Sequence, residues 1–168
     1  MTFIAPDESD QATVDRVRAI FDDLGQTVVT TEQMLPAGTA MAGCAIAYVM
    51  RYVRAASEAG VELGFKAGQA RDITLQTIQG AVSLLRETGM HPEAGVDTVT
   101  TPGGLTIKGL NTLERYGFSN AVIQGIKAGM KELSVTTGAA DVAPVAYVSV
   151  ALSGVSSFCI QMLLIAHC

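Results

Sequence analysis

The stretch from Asp97 to Leu110, which reads Asp-Thr-Val-Thr-Thr-Pro-Gly-Gly-Leu-Thr-Ile-Lys-Gly-Leu, constrains the fold of this chain strongly. Thr101 is a predicted N-cap, Pro102 fits the first helical position, and the two glycines leave the next backbone N–H groups uncovered. A helix that begins in this way directs unpaired N–H groups and the positive end of its dipole at whatever lies in front of it. The pattern indicates either an ordinary capped helix or a site for a small anion such as a carboxylate.

Most of the chain has helical periodicity, which predicts a mainly α architecture. The segment from Met41 to Val53 is apolar nearly all round, as expected for a helix buried inside an assembly. Gly64 is predicted to end this helix or its continuation, and Gly89 with Pro92 to close the next one. Further helices are predicted at Ala67–Glu87, Gly103–Arg115 and Asn120–Glu132. Their apolar stripes are interpreted as core or as subunit interface.

The first thirty residues predict a strand, a helix and a second strand. Thr2-Phe3-Ile4 is a short apolar run, Ser9 or Asp10 can cap a helix that Gly25 stops, and Thr27 to Thr31 is β-branched throughout. A βαβ unit of this size cannot bury both faces of its two strands, so it indicates the edge of a larger α/β sheet. The inward helical stripe is predicted to contain Val14, Val17, Ile20, Phe21 and Leu24.

Composition excludes several functions. A formal net charge of −5, with dispersed Lys and Arg, argues against nucleic acid and against an anionic membrane surface as partners. The three cysteines (Cys44, Cys159 and Cys168) form no disulfide framework, which fits a reducing cytoplasm, and Cys44 is predicted to be a small core residue. The two histidines have no ligands at metal-binding spacing, so no metal site is expected. The acidic residues near the N-terminus argue against a signal peptide.

Four features occur in a fixed order along the chain: an apolar helix with many small side chains, a His-Pro turn, the Thr-Pro-Gly-Gly element, and a Tyr-Gly-Phe before the last helix. They lie at Pro36–Met50, His91-Pro92, Thr101–Gly104 and Tyr116–Phe118. In this order and at these spacings the chain, up to about Leu133, resembles the C-terminal half of pyrroline-5-carboxylate reductase. The most specific part is Val99 to Gly104 followed by Thr106-Ile107, with Asp97 two positions before.

The resemblance implies a mainly α fold, with a helical dimerisation domain of the 6-phosphogluconate-dehydrogenase C-terminal type preceded by a short βαβ remnant of a Rossmann-like sheet. The implied boundaries are 1–34 for the edge of the Rossmann-like domain, 35–133 for the helical dimerisation and substrate domain, and 134–168 for a hydrophobic tail without a family counterpart. It also implies a homodimer or a higher homo-oligomer.

The implied activity is the reduction of 1-pyrroline-5-carboxylate to L-proline with NADPH or NADH, in proline biosynthesis. Thr106 is the implied catalytic residue, because its hydroxyl can hold the substrate, although in a first helical turn it could also bond back to the backbone. Gly43 and Cys44 are the implied cofactor contacts. The substrate carboxylate is expected to be bound by Thr101, Pro102, Gly103, Gly104, Leu105 and Thr106, with the glycine N–H groups among the donors.

Two departures from the family limit this expectation. A dinucleotide fold needs Gly-x-Gly-x-x-Gly after its first strand, and the sequence contains no such pattern. We therefore expect the chain by itself neither to bind NAD(P)H tightly nor to turn over. The family's usual Ser-Gly-Ser-Gly-Pro-Ala-Tyr is here Ala42 to Tyr48, reading Ala-Gly-Cys-Ala-Ile-Ala-Tyr, so two hydroxyls near the expected nicotinamide are replaced.

The residues after Glu132 differ in composition from the rest of the chain, since the only charged residue among them is Asp141. Val145 to Ala166 is mostly apolar and long enough to cross a bilayer, which takes about 20 residues. Its serines and the lack of flanking basic or aromatic residues weigh against a spanning helix. Three interpretations remain open for this tail: a non-homologous extension, a packed hydrophobic appendage, or a membrane anchor. For the whole chain, the alternatives to a reductase fragment are a catalytically inactive dimerisation module and a membrane-tethered helical protein.

Overall fold

The computed structural model describes residues 1–6, 11–136, 147–150 and 158–162, with side chains described up to residue 130. The chain divides into two compact units, one formed by Met1–Ile46 with Gln124–Cys168 and the other by Ala47–Ile123. The strands are β1 Thr2–Pro6, β2 Thr27–Val29, β3 Tyr147–Val150 and β4 Phe158–Met162. The α-helices are α1 Gln11–Asp22, α2 Leu35–Gly38, α3 Ala45–Glu62, α4 Ala67–Thr88, α5 Pro92–Thr98, α6 Leu105–Arg115 and α7 Phe118–Thr136. The mainly α prediction is confirmed.

The sheet of the first unit has the order β2-β1-β4-β3. Strand β1 pairs with β2 in parallel, from Thr2 opposite Thr27 to Ile4 opposite Val29, which confirms the predicted βαβ unit. On its other edge β1 pairs antiparallel with β4. The described residues of the apolar tail, 147–150 and 158–162, therefore form strands. The predicted cap residues Ser9 and Asp10 lie outside the described residues.

The core of this unit lies around β1. Ile4 is fully buried, and Val14 and Val17 of α1 are buried with it as α1 packs on the two parallel strands. The ring of Phe3 lies beside Gly38, where a Cβ would approach it to 3.0 Å. Strand β1 is thus contacted from α1 and from α2, as expected for a strand with covered faces.

The predicted stripe of α1 is confirmed only in its first half. Val14 and Val17 are buried, whereas Ile20 and Leu24 are 63% and 64% exposed. The reason is the shortness of the sheet: β2 has three residues, so the end of α1 has no strand beneath it within the part of the chain that the structure describes.

Thr27 and Thr39, each 4% exposed, provide a test of buried hydroxyls. The Thr39 hydroxyl donates a hydrogen bond to the carbonyl oxygen of Leu35 (3.1 Å), whereas Thr27 Oγ1 has no hydrogen-bond partner among the described residues. We expect Thr27→Val to raise the free energy of unfolding by about 1 kcal/mol, because it removes an unsatisfied polar atom. Thr39→Val should lower it by a similar amount, because it removes a bond. Urea unfolding followed by circular dichroism measures both changes, and equal signs would contradict this account.

The predicted long apolar helix is not a single regular α-helix. A short 3₁₀ turn at Glu32–Met34 leads into α2, and a π-helical turn at Thr39–Cys44 separates α2 from α3. The π turn closes with a hydrogen bond from the N–H of Ala45 to the carbonyl of Ala40, five residues back. Such turns accommodate one extra residue and often occur at functional sites.

In the second unit, the predicted helix ends are confirmed. Helix α3 ends at Glu62, just before Gly64, and α4 ends at Thr88, where Gly89 takes the left-handed conformation (φ 64°) and donates to the carbonyl of Leu85. A ring contact joins α3 to α7: Tyr52 and Phe118 meet edge to face with centroids 6.3 Å apart.

The sequence predicted a simple turn at His91-Pro92, but the structure has a further helix there. His91 caps α5, because its Nδ1 accepts a hydrogen bond from the N–H of Glu93 (3.2 Å). Gly95 of α5 is buried near the side chains of Leu85 and Met90, the first of which a Cβ would approach to 3.3 Å. Helix α5 therefore packs on α4 through a residue without a side chain, a contact that hydrophobic periodicity does not reveal.

The helical unit leaves many large apolar side chains uncovered. No residue of α3 is fully buried, and in α4 only Ala70 is. The predicted stripe of α4 is likewise open, with Ile73 at 49% and Leu75 at 47% exposure. Among the described residues, the helical stretch Glu32–Glu62 is long and apolar enough to cross a membrane by length and composition alone, which is weak evidence by itself. Exposed apolar helix faces of this extent are typical of a subunit interface.

Candidate functional site

The Thr-Pro-Gly-Gly element forms a tight turn before α6. The N–H of Gly104 donates to the carbonyl of Thr101 (2.9 Å), Pro102 occupies the second position of the turn, and Gly103 has φ 71°. This combination is typical of a type II turn, whose third residue needs a positive φ and is therefore usually glycine. The prediction that Thr101 caps the helix is wrong: α6 begins at Leu105, and its N-cap is Gly104 in an extended conformation. The hydrogen bond across the turn delays the helix because it holds the chain in a non-helical conformation through Gly104.

The start of α6 presents uncommitted backbone donors. No side chain caps this helix, so the N–H groups of Leu105, Thr106 and Ile107 have no acceptor within it and none from a cap. Gly104 is not among the donors, since its N–H is engaged by Thr101. Gly104 contributes instead by having no Cβ, which leaves room for a ligand to approach the backbone. The expectation that both glycines supply free N–H groups is thus corrected for Gly104.

The Thr106 hydroxyl is free in the described structure. Most threonines around it bond back to the chain: Thr100 Oγ1 donates to the carbonyl of Val96 (2.8 Å), and Thr112 Oγ1 to that of Lys108 (2.8 Å). No such bond involves Thr106 among the described residues. The physical reason is its position, because the residue four places before Thr106 is Pro102, which lies in the turn and not in a helix. Thr106 therefore does not bond back to the backbone of the described residues.

Thr101 lies close to Gly104 across the turn. A Cβ built on Gly104 would lie 2.5 Å from Thr101 Oγ1 and 3.0 Å from the Thr101 carbonyl oxygen. A Cβ at position 104 would therefore force the Thr101 side chain to rotate and its carbonyl to shift, so the turn in its present form favours glycine there. The turn thus brings together Thr101, Pro102, Gly103, Gly104, Leu105 and Thr106, all of the predicted carboxylate-site residues. Leu105 is 86% exposed beside them.

The segment before the turn is fixed by α5. Thr98 Oγ1 donates to the carbonyl of Gly95 (2.7 Å), and the N–H of Thr100 donates to the carbonyl of Asp97 (3.2 Å). Since Gly95 packs on α4, these bonds connect the site turn to the body of the helical unit. Sequence reasoning missed this support, although the threonine run from Thr98 to Thr101 was a signal for it.

Gly43 and Cys44, the implied cofactor contacts, both lie in the π-helical turn of the first unit and are half-buried. Cys44 is a free thiol. The irregular turn interrupts the regular ladder of helical hydrogen bonds at these two residues. Their assignment to a cofactor stays a prediction.

A groove of about 570 Å³ lies between α3 and α4. Its walls include the apolar side chains of Met50, Val53 and Val61, and Arg54 on its rim pairs with Glu58 (2.7 Å). The groove narrows where the helices approach, since a Cβ on Gly60 would lie 2.8 Å from that of Ala70. Within the residues that the structure describes, no group of acidic, histidine or cysteine side chains is suited to a metal ion.

The helical unit has open apolar faces and an uncapped helix start with a free hydroxyl, and the other unit contains a parallel βαβ pair. These features define a helical dimerisation-type domain. Residues 32–135 match the family model described as pyrroline-5-carboxylate reductase dimerisation. The chain belongs to the pyrroline-5-carboxylate reductase family.

Reductases of this family from several organisms are similar to this chain. The chain is 43% identical over 120 residues to pyrroline-5-carboxylate reductase 1 of Dictyostelium discoideum, a match that covers 71% of this chain and 22% of that protein. The reductase of Coxiella burnetii superposes with a TM-score of 0.72 at 25% identity, over 77% of this chain and 48% of the other. That of Plasmodium falciparum, solved with NADP bound, gives 0.67 at 27% identity, over 74% and 48%. The chain thus spans about half the length of these solved relatives.

The residues of this chain do not fit a dinucleotide by themselves. The first βα turn of a dinucleotide fold approaches the pyrophosphate through a Gly-x-Gly-x-x-Gly pattern, and the sequence of this chain contains no such pattern.

Proposed function

We propose that this chain supplies the substrate-carboxylate site and the dimer interface of a pyrroline-5-carboxylate reductase, the NAD(P)H-dependent enzyme that reduces 1-pyrroline-5-carboxylate to L-proline. The single observation that carries the proposal is the free Thr106 hydroxyl in the uncapped first turn of α6. Membership of the family supplies the reaction. The cysteine pattern favours a cytoplasmic setting for it.

The site acts by holding the ring carboxylate. The N–H groups of the first turn of α6 and the Thr106 hydroxyl donate to its oxygens, and the glycine turn allows the carboxylate to approach the backbone. The helix dipole adds about 0.3–1 kcal/mol for an anion at this end. With the carboxylate fixed, the C=N bond of the ring has one orientation, and fixed orientation is the main contribution that a protein makes when a cofactor supplies the hydride.

Binding of L-proline, the product with the same carboxylate, tests this site in the chain as it is. We expect proline to raise the melting temperature of the chain, since a ligand present at 100 times its Kd stabilises the folded state by about 2.7 kcal/mol. Thr106→Val should weaken proline binding by about tenfold to a hundredfold, as a hydrogen bond to a charged group contributes about 1.5–3 kcal/mol.

Thr112→Val is the matched control, because it removes a hydroxyl from the same helix that already donates to Lys108. It should leave the Kd for proline unchanged in calorimetric titration. Equal affinities for the Thr106 and Thr112 variants would remove Thr106 from the site, and no binding of proline to the unaltered chain would contradict the proposed function itself.

A catalytically inactive dimerisation module is the second candidate. The uncovered apolar faces of α3 and α4 favour it, because they require a second subunit whether or not the site is used. Both candidates include a homo-oligomer. They differ in the proline experiment, because a module that has lost the site self-associates without binding proline.

A further inference from the structure

Helix α5 is short, and its first turn depends on one residue. It has seven residues, whereas isolated helices shorter than about 12–15 residues are marginal in water. Its first residue, Pro92, has no N–H to satisfy. His91 accepts two of the N–H groups that follow, because its imidazole Nδ1 accepts from Glu93 (3.2 Å) and its carbonyl oxygen accepts from Gly95 (3.1 Å).

The body of the helical unit contributes little to holding α5. Among the residues of α5, all of which the structure describes, only Gly95 is buried. It lies beside Leu85 of α4, which a Cβ on Gly95 would approach to 3.3 Å. Because Gly95 has no side chain, this contact buries little apolar surface. The hydrogen bonds at the two ends of α5 therefore account for much of what keeps it helical.

The other end of α5 is bonded to the residue that precedes the site turn. Thr100 donates twice to α5, from its N–H to the carbonyl of Asp97 (3.2 Å) and from its hydroxyl to the carbonyl of Val96 (2.8 Å). The next residue is Thr101, whose carbonyl accepts the hydrogen bond from Gly104 that closes the turn. No residue lies between the last anchor on α5 and the turn, so a displacement of α5 is passed on to the turn.

We propose that His91 is a positioning residue for the carboxylate site. As the N-cap of α5 it keeps this helix formed, and α5 holds the turn from Thr101 to Gly104 in the shape that presents the first N–H groups of α6. When α5 opens, the turn loses its anchor, and the apparent Kd for a carboxylate ligand rises as the binding-competent fraction falls. The inference rests on the proposed function for the identity of the ligand, whereas the hydrogen bonds that connect His91 to the turn are independent of it.

Two substitutions of His91 in the full chain isolate the cap. His91→Ala removes the side-chain acceptor, whereas His91→Asn supplies a side-chain oxygen and is among the preferred N-cap residues. Gln69→Ala is the matched control, because Gln69 Oε1 accepts the N–H of Lys66 (3.3 Å) at the start of α4. His91 and Gln69 are both exposed and both lie in the helical unit, so neither substitution disturbs a core.

Two measurements decide the proposal. In calorimetric titration, L-proline should bind about threefold to tenfold more weakly to His91→Ala, since a lost cap typically shifts a helix equilibrium by about fivefold. The affinity should return in His91→Asn and stay unchanged in Gln69→Ala. Hydrogen exchange at the amides of Thr100 and Gly104 should be faster by a similar factor in His91→Ala and not in the other two variants.

Unchanged proline affinity in His91→Ala would overturn the proposal, and so would a weakening that His91→Asn does not restore. Equal weakening in Gln69→Ala would also overturn it, because the effect would then come from a general loss of stability. If the unaltered chain binds no proline, the proposed function is contradicted, and exchange at the amides of Thr100 and Gly104 still decides whether His91 holds the turn.

Discussion

Gly104→Ala should weaken proline binding by at least about tenfold, because the new Cβ would lie 2.5 Å from Thr101 Oγ1 and 3.0 Å from the Thr101 carbonyl oxygen. The Thr101 hydroxyl must then rotate away and the Thr101 carbonyl must shift by a few tenths of an ångström, which strains the hydrogen bond across the turn and displaces the first N–H groups of α6. Forced rearrangements of this kind cost about 1–3 kcal/mol, and about 1.4 kcal/mol corresponds to tenfold in Kd. Calorimetric titration with L-proline measures the effect.

Gly109→Ala is the control for this prediction. It lies in the same helix, and a Cβ at that position meets no atom within 4 Å. It should leave proline binding unchanged and raise the free energy of unfolding by about 0.5–1 kcal/mol, because alanine is the better helix former. If the Gly104 and Gly109 variants bind proline equally well, the turn does not shape the binding site.

Gly60→Ala should lower the free energy of unfolding although it places alanine inside a helix. Its Cβ would lie 2.8 Å from the Cβ of Ala70, at the point where α3 and α4 approach each other. Separating two packed helices costs about 1–3 kcal/mol, which exceeds the gain of about 0.5–1 kcal/mol from replacing glycine in a helix. Urea unfolding at one fixed protomer concentration measures the change, since the stability of an oligomer depends on concentration.

Two further variants isolate the contact. Gly80→Ala, in open space on α4, should stabilise the chain. The double variant Gly60→Ala with Ala70→Gly restores the original side-chain volume where α3 and α4 approach each other. Its free energy of unfolding should therefore be higher than the sum of the two single changes predicts. Additive effects of the two substitutions would show that the helices do not meet at this point.

The helices with strong local signals were predictable from sequence. Gly64 and Gly89 mark the ends of α3 and α4 because a glycine after an apolar periodic segment both stops a helix and satisfies its last carbonyls. The parallel pair β1 and β2 was predictable for the same local reason, since a β-branched run flanks a helix of suitable length. The residues proposed for the carboxylate site are six consecutive positions, so the sequence could name them together, and their role in binding stays a prediction.

Features that depend on contacts between distant residues were not predictable. Helix α5 was taken for a turn because its buried residue is Gly95, whose close approach to Leu85 leaves no hydrophobic signal. The N-cap of α6 was placed at Thr101 instead of Gly104, because a turn hydrogen bond competes with helix initiation and the sequence does not show which of the two prevails. The π-helical turn before α3 likewise has no signature in periodicity.

The sequence by itself determined the family and the helical character, because these depend on local spacing and on side-chain chemistry. The tertiary structure decided which donors are free, since Gly104 is engaged by Thr101 while Thr106 is not. It also decided the partner of β1, because strand pairing between residues more than 150 positions apart in the chain is set by which edges meet in the folded molecule. No local sequence pattern encodes the pairing of β1 with β4.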